Sequence, residues 1–528
     1  MTIASLYPSL QGQEVPYNAL DSDFIRALLR HSEEINDFHV FLPLNCHPPE
    51  QLTDVSNVYI HSVMELSEFF QETSVDVWHD FGYTDVSHLT HIRRVSRQIF
   101  PITLQVQPWR LALNQINTFR DLAEYDALLC SKPSVCRIVR SAIQPSETSS
   151  LSPGLVPEVF TIPPGVDIIK GDIAGKPDAR HLLDLPEQGL IILCLTDFSV
   201  YEGGDLFPLI HAFQTVAENH AAVRLIISGS DKYGYADKIQ MYLNDSRVRE
   251  RVVLRPNASK SAETLLLSAA DIFISPSDTI HRDNQLQVLK AMGNGLPVIG
   301  VDDSNNGIIE HGKNGLKLRR ICKPTSYDVL NNYFPLVSEE VKPFILSQGI
   351  VVDTKQIIEF LTLLIEDNRE RQTLGEAARR YVAVNHPWST IVKKYIRRWH
   401  ALRQKASSQP HHTISSQLHS DHTRALPFFA FMSEDIEDDT SLQLTASGGE
   451  RLETQHLLIY EAMKDIIYPP VVFEILNLAK SVITVSEVIN ALLLLADGGD
   501  SENLVPNITY HIMWCLKQGF ISLSGKGQ

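Results

Sequence analysis

The sequence predicts an α/β protein: two successive parallel-sheet units, then a smaller, mostly helical C-terminal domain. Three observations carry this. Over the first 400 residues, short apolar runs alternate with stretches of 3.6-residue periodicity. The segment FTIPPGVD (160–167) punctuates that series with Pro163, Pro164 and Gly165 and marks a hinge before a second series begins. Past residue 404 the composition shifts to Ser, His, Gln and acidic residues, and an amphipathic pattern then returns.

The strand candidates are Val58–Ile60, Ile102–Val106, Ala127–Cys130, Leu190–Leu195, Arg224–Ser228, Asp271–Ser275 and Pro297–Val301. Such runs, apolar on both faces, belong to parallel sheets covered by helices. Between them, Leu206–Val216, Ala262–Ala269 and Leu286–Met292 have helical periodicity. From Thr354 to Leu402 the pattern is wholly helical, and Trp388, Tyr395 and Trp399 fall at packing spacing. The expected organisation is 1–165, 166–353, closing helices over 354–403, a flexible linker over 404–452 and a folded domain over 453–528.

With 528 residues, 44% apolar and 21% charged, the chain has the balance of a soluble globular protein. Its net charge of −17 argues against sequence-independent binding to nucleic acid or to an anionic membrane surface. No apolar run approaches the roughly 20 residues of a membrane span, and the N-terminus lacks the features of a signal peptide. Six scattered Cys without a CxxC pair fit a reduced, cytoplasmic setting. Cys130 and Cys136 lack a neighbouring base in sequence and make no catalytic pair.

The tail offers weaker signals. His411, His412, His419 and His422 lack the paired spacing of a structural zinc site, so no metal is expected. The acidic run EDIEDD (434–439) reads as solvated. Helical runs over 453–518 followed by GFISL suggest a winged-helix-like module. Without a basic stripe, it suits a protein partner or self-association better than DNA.

Five fragments in order resemble family 4 glycosyltransferases of the GT-B fold: DFSVYEGGDLFPLIHAF (197–213), SPSDTIHRDNQLQVLKAMGNGLPVIG (275–300), EHGKNGLKL (310–318), the hinge IPPGVD (162–167) and the helices of 374–402. The resemblance ends near residue 405. It implies two Rossmann-like domains facing a cleft, and retaining sugar transfer from a nucleotide-diphosphate sugar without a bound metal or other cofactor. A departing diphosphate gathers negative charge, so such a site needs cations and amide donors aimed at it.

At the matching positions this chain differs. The Arg position is Asp197, the Lys position falls on Glu202 or Gly203, and the two Glu positions are Arg282 and Lys290. Asn284 and Gln285 replace the usual Phe–Gly. Pro276 and Ser277 keep the donor-loop frame, Gly229 follows the next strand, and His79 and Gln107 are the first-domain candidates for the reacting centre. At about 4 Å and an effective dielectric of about 20, one charge pair is worth roughly 4 kcal/mol, so reversing two cations leaves little of a diphosphate site. Arg282 and Lys290 then either hold phosphate themselves or pair with Asp197 and Glu202. The expected function is a glycosyltransferase homologue with a degenerate donor site and a binding or scaffolding role. The alternative is an active transferase with a phosphate site rebuilt on Arg282 and Lys290.

Overall fold

A computed structural model describes residues 1–6, 19–42, 52, 55–82, 84, 86–96, 98–106, 119, 122–143, 157–167, 175–201, 203–244, 246–278, 285–301, 307–323, 329–330, 334–338, 341–408, 434–460, 463–464, 466–495 and 501–524. They form two compact units: Met1–Ile168 with Ala383–Ala425, and Ile169–Val382 with Leu426–Gln528.

The first unit is built on a seven-stranded parallel sheet. Its strands are β1 (Thr2–Leu6), β2 (Asp37–Leu42), β3 (Val58–Ser62), β4 (Val77–Asp80), β5 (Ile102–Val106), β6 (Ala127–Cys130) and β7 (Glu158–Thr161), in the order β3-β2-β1-β4-β5-β6-β7. The helix Trp388–Ser407 packs on this sheet, burying Trp388, Tyr395 and Trp399 among Phe24, Val77 and Ile162. Gly165 of the hinge lies so close to Trp388 that a Cβ there would fall 2.4 Å from the indole. The turn therefore needs glycine for space.

The second unit carries a six-stranded parallel sheet: β8 (Ile191–Leu195), β9 (Arg224–Gly229), β10 (Val252–Pro256), β11 (Ile272–Ser275), β12 (Val298–Val301) and β13 (Leu316–Leu318), ordered β10-β9-β8-β11-β12-β13. Its core joins Ile192, Leu225, Ile227 and Ile274 to Phe213 of the helix Phe207–Asn219 and Leu361 of the helix Thr354–Glu366. Asp353 caps that second helix by accepting from Lys355 N and Gln356 N.

Both units clamp strand starts in one way. Asp76, Asp126 and Asp271 each precede a strand and accept from the first amide of its neighbour: Thr2 N (2.9 Å), Ile102 N (2.7 Å) and Ile191 N (2.7 Å). Each carboxylate also meets an arginine, Arg403, Arg93 and Arg180 respectively.

The C-terminal segment differs from its sequence reading. Strands β14 (Arg320–Cys322), β15 (Ile350–Val352) and β16 (Glu434–Asp435) form one small sheet, so residues beyond 433 add a strand to the second unit. Strands β17 (Ser441–Leu444), β18 (Ile483–Thr484) and β19 (Ile521–Ser524) form an antiparallel sheet beside the helices Ala446–Thr454, Pro469–Leu478, Val485–Leu495 and Ser501–Lys517. The stretch 434–452, expected as linker, is thus folded. Its acidic run is not simply solvated: Ile436 is buried, its carbonyl accepts from Lys323 Nζ (3.2 Å), and Lys323 pairs with Asp438 (2.8 Å). Composition concealed this because the partner is a lysine more than a hundred residues earlier. His411, His412, His419 and His422 lie outside the described residues.

Among the described residues no helix is long and apolar enough to cross a membrane, and no cluster of three His, Cys, Asp or Glu could hold a metal ion. Cys130, Cys136, Cys194, Cys322 and Cys515 are buried.

Candidate functional site

In the second unit the strand order reverses between β8 and β11. Open parallel sheets bind ligands beyond the carboxyl ends of their strands at such a reversal. Two loops begin there, after β8 (196–206) and after β11 (from 276), and they meet at Asp278; Glu202 and residues 279–284 lie outside the described part.

The first loop is closed on itself. Gly203 N donates to Ser199 O (2.7 Å), and Thr196 Oγ1 donates to Gly203 O (2.9 Å). A Cβ at Gly203 would fall 1.8 Å from Asp197 O, so this position admits only glycine. Gly204 takes a left-handed φ of +94° and brings the backbone against Asp278. Asp205 N then donates to Asp278 Oδ1 (3.2 Å), while Asp205 Oδ1 accepts from Phe207 N (3.0 Å) at the start of the helix Phe207–Asn219. One aspartate pair therefore ties the two loops together, and Asp205 also holds the first amide of the helix that follows.

The C-terminal segment supplies the remaining partners. Lys517 Nζ is salt-bridged to Asp278 Oδ2 and donates to Ser347 O (3.0 Å). Gln518 Nε2 and Tyr460 OH each donate to Asp205, both at 3.2 Å. His211 Nδ1 donates to Gln518 O (3.1 Å), and its Nε2 accepts from Tyr242 OH (2.8 Å). Burial lowers the His211 pKa, which keeps the ring in this neutral arrangement. Burial also pulls the Lys517 ammonium down to about 8, partly offset by the Asp205 charge. Burial raises the Tyr460 hydroxyl, and the Asp205 charge raises it further, so it remains a donor.

Of the residues singled out in sequence, Asp197, Gly203, Gly229, Pro276 and Ser277 belong to these strand ends and loops. Asp197 is buried, and Gly229 ends β9 hard against Thr196 O. Gln285 and Lys290 lie on the helix Gln285–Gly293. Lys290 pairs with Glu263 of the neighbouring helix Lys260–Ala269 (3.5 Å). The two alternatives for Arg282 and Lys290, holding phosphate or pairing with Asp197 and Glu202, turn on Arg282 and Glu202, which lie outside the described residues. Arg282, Asn284, Glu202 and Gln107 lie outside the described residues.

His79, at the end of β4 in the first unit, is fully enclosed by Phe24, Phe81, Tyr395 and Trp399. Its Nδ1 meets Thr103 Oγ1 (2.9 Å), whose hydroxyl donates to Trp78 O (3.4 Å). The imidazole therefore donates through Nδ1. Burial lowers its pKa to about 3.

Sequence reasoning missed Asp205, Asp278, Tyr460, Lys517 and Gln518. One signal was present. Tyr510, Trp514 and Lys517 share a helical face, and the first two are buried apolar residues, so a lysine in that series faces inward too.

Residues 190–326 match the family model described as Glycosyl transferases group 1. Among solved structures, the chain is similar to HepE from Anabaena in complex with UDP and glucose: 14% identity, 76% of this chain, 100% of that one, TM-score 0.54. It is similar to sucrose-phosphate synthase from Thermosynechococcus elongatus at 16% identity, covering 76% and 99% of the two chains, TM-score 0.53. A glycosyltransferase from Rickettsia africae matches at 12% identity, covering 76% and 98%, TM-score 0.54. No curated protein sequence matches. At these identities the likeness establishes the fold, which is GT-B, with one Rossmann-like sheet in each unit.

Proposed function

We propose that this protein is a family-4-like glycosyltransferase homologue that has given up sugar transfer and acts as a binding or scaffolding protein. The observation that carries the reading is the charge at the β8–β11 reversal. Among the described residues of the two loops, 196–201, 203–206 and 276–278, there are three buried aspartates, Asp197, Asp205 and Asp278, and no Lys or Arg; Arg282, further along the second loop, lies outside them. Among the described residues, Lys517 reaches them and is already bonded to Asp278. A diphosphate brought here meets carboxylates where the transferase chemistry needs positive charge, and a developing anion is destabilised by the same sign. Lys290, at the second substituted Glu position, is engaged by Glu263.

In this reading His79 is a core residue, since a fully buried imidazole tied to Thr103 reaches no substrate. The C-terminal helices and β17–β19 sheet form a winged-helix-like element whose first partner is its own second unit. Buried, scattered cysteines suit a reducing, cytoplasmic compartment.

The test is release of nucleoside diphosphate from a panel of nucleotide sugars by the full chain. The result expected is the rate without protein. Release above that rate, lost in Arg282→Ala, would establish the rebuilt phosphate site instead.

A further inference from the structure

We propose that Lys517 is the positioning residue of the β8–β11 reversal, and that the C-terminal segment is a strap whose release opens both loops. This goes beyond the functional reading above and does not rest on it, because it concerns what holds the loops, not what they bind.

Four observations carry it. The Lys517 side chain is 1% exposed and joins two distant segments, Asp278 after β11 and Ser347 O at the end of the helix Lys342–Gln348. The other oxygen of Asp278 accepts from Asp205 N, so a single carboxylate links both loops to the strap. Gln518, the next residue, reaches Asp205, and Tyr460 reaches it from a separate part of the strap. Finally, an aromatic row follows the same path: Tyr201 of the first loop meets Phe344 (4.8 Å between ring centroids), Phe344 meets Tyr460 (5.6 Å), and Tyr460 meets Phe207 (6.4 Å).

Removing one member of a buried ion pair leaves the other charge without compensation in a poorly solvated place. Without the ammonium, the buried Asp278 carboxyl would lie beside Asp205, another buried carboxyl, with no countercharge from Lys517. The lowest-cost relief is local: the loops swing out until Asp278 meets water, and the sheet beneath stays paired. A role limited to packing would instead loosen the whole unit together.

Hydrogen exchange of the full chain separates the two. Lys517→Met keeps the apolar stem and removes the charge. Exchange at the amides of 196–206 and of 277–278 should rise tenfold or more, with β9, β10 and β11 staying within twofold of wild type. Asp278→Asn with Lys517→Met makes a neutral pair and should return the loops to within threefold. Leu361→Ala, a core truncation far from the strap in sequence, is the control and should raise exchange across the unit. Unchanged loops in Lys517→Met would overturn the proposal. So would a rise shared equally with β9, β10 and β11, or a double variant no better than the single. If Lys517→Met does not fold, Asp278→Asn alone should open the same amides, and adding Lys517→Met should reverse it; no reversal would count against the strap.

Discussion

At the residue scale, enclosure fixes the charge state of several imidazoles. His79 sits among four aromatic rings, and His511 donates from Nδ1 to Asn507 O while its Nε2 accepts from Tyr468 N. Burial lowers the first to about 3 and the second to about 4, against about 6.5 for a free imidazole. Between pH 6.5 and those values the unfolded chain binds protons that the folded chain refuses. Stability therefore falls as pH drops below 6.5 and levels only below the folded values. Urea midpoints measured from pH 7.5 to 4.5 should show that fall, and His79→Gln with His511→Gln should flatten it; an unaltered slope would refute the assignment. His79 was visible in the sequence as a strand-end histidine. Its enclosure was not, because Tyr395 and Trp399 come from a helix more than three hundred residues later.

At the element scale, the strand starts are held by aspartate clips rather than by apolar runs alone. Asp271 receives Ile191 N, Lys176 (2.6 Å) and Arg180 (2.6 Å), and Arg180 also donates to Ala269 O (3.1 Å) and Glu187 O (2.7 Å). Asp271→Ala leaves Arg180 buried without its carboxylate and should cost about 3–5 kcal/mol, read as a lower urea midpoint for the second unit. A loss under about 1 kcal/mol would show that the carbonyls around Arg180 suffice. Burial separates several strands that the sequence revealed from two that it did not. β6, β8 and β11 are buried throughout and read as continuous apolar runs. β10, VVLRP, is an edge strand that turns its last two residues to solvent, and β7, EVFT, mixes exposed and buried positions. Neither edge strand has the uninterrupted apolar character that marks a central one.

At the scale of the molecule, the resemblance that identified the GT-B fold stops near residue 405, yet the second unit does not. Its small β15-β14-β16 sheet, the caps on Asp205 and the ion pair of Asp278 all draw on residues beyond 430. Local pattern showed helices in the tail but could not show where they dock, because docking is decided by a few polar contacts far apart in sequence. A chain shortened to residue 405 would leave Asp205 and Asp278 without these partners, so binding must be measured on the whole protein. The central claim is that the carboxylates at the β8–β11 reversal have replaced a diphosphate site. Calorimetric titration of the full chain with nucleoside diphosphates and nucleotide sugars addresses it most directly. No binding tighter than about 1 mM, which corresponds to about −4 kcal/mol, is the result expected. Micromolar binding abolished by Arg282→Ala would contradict it and restore the site to phosphate recognition.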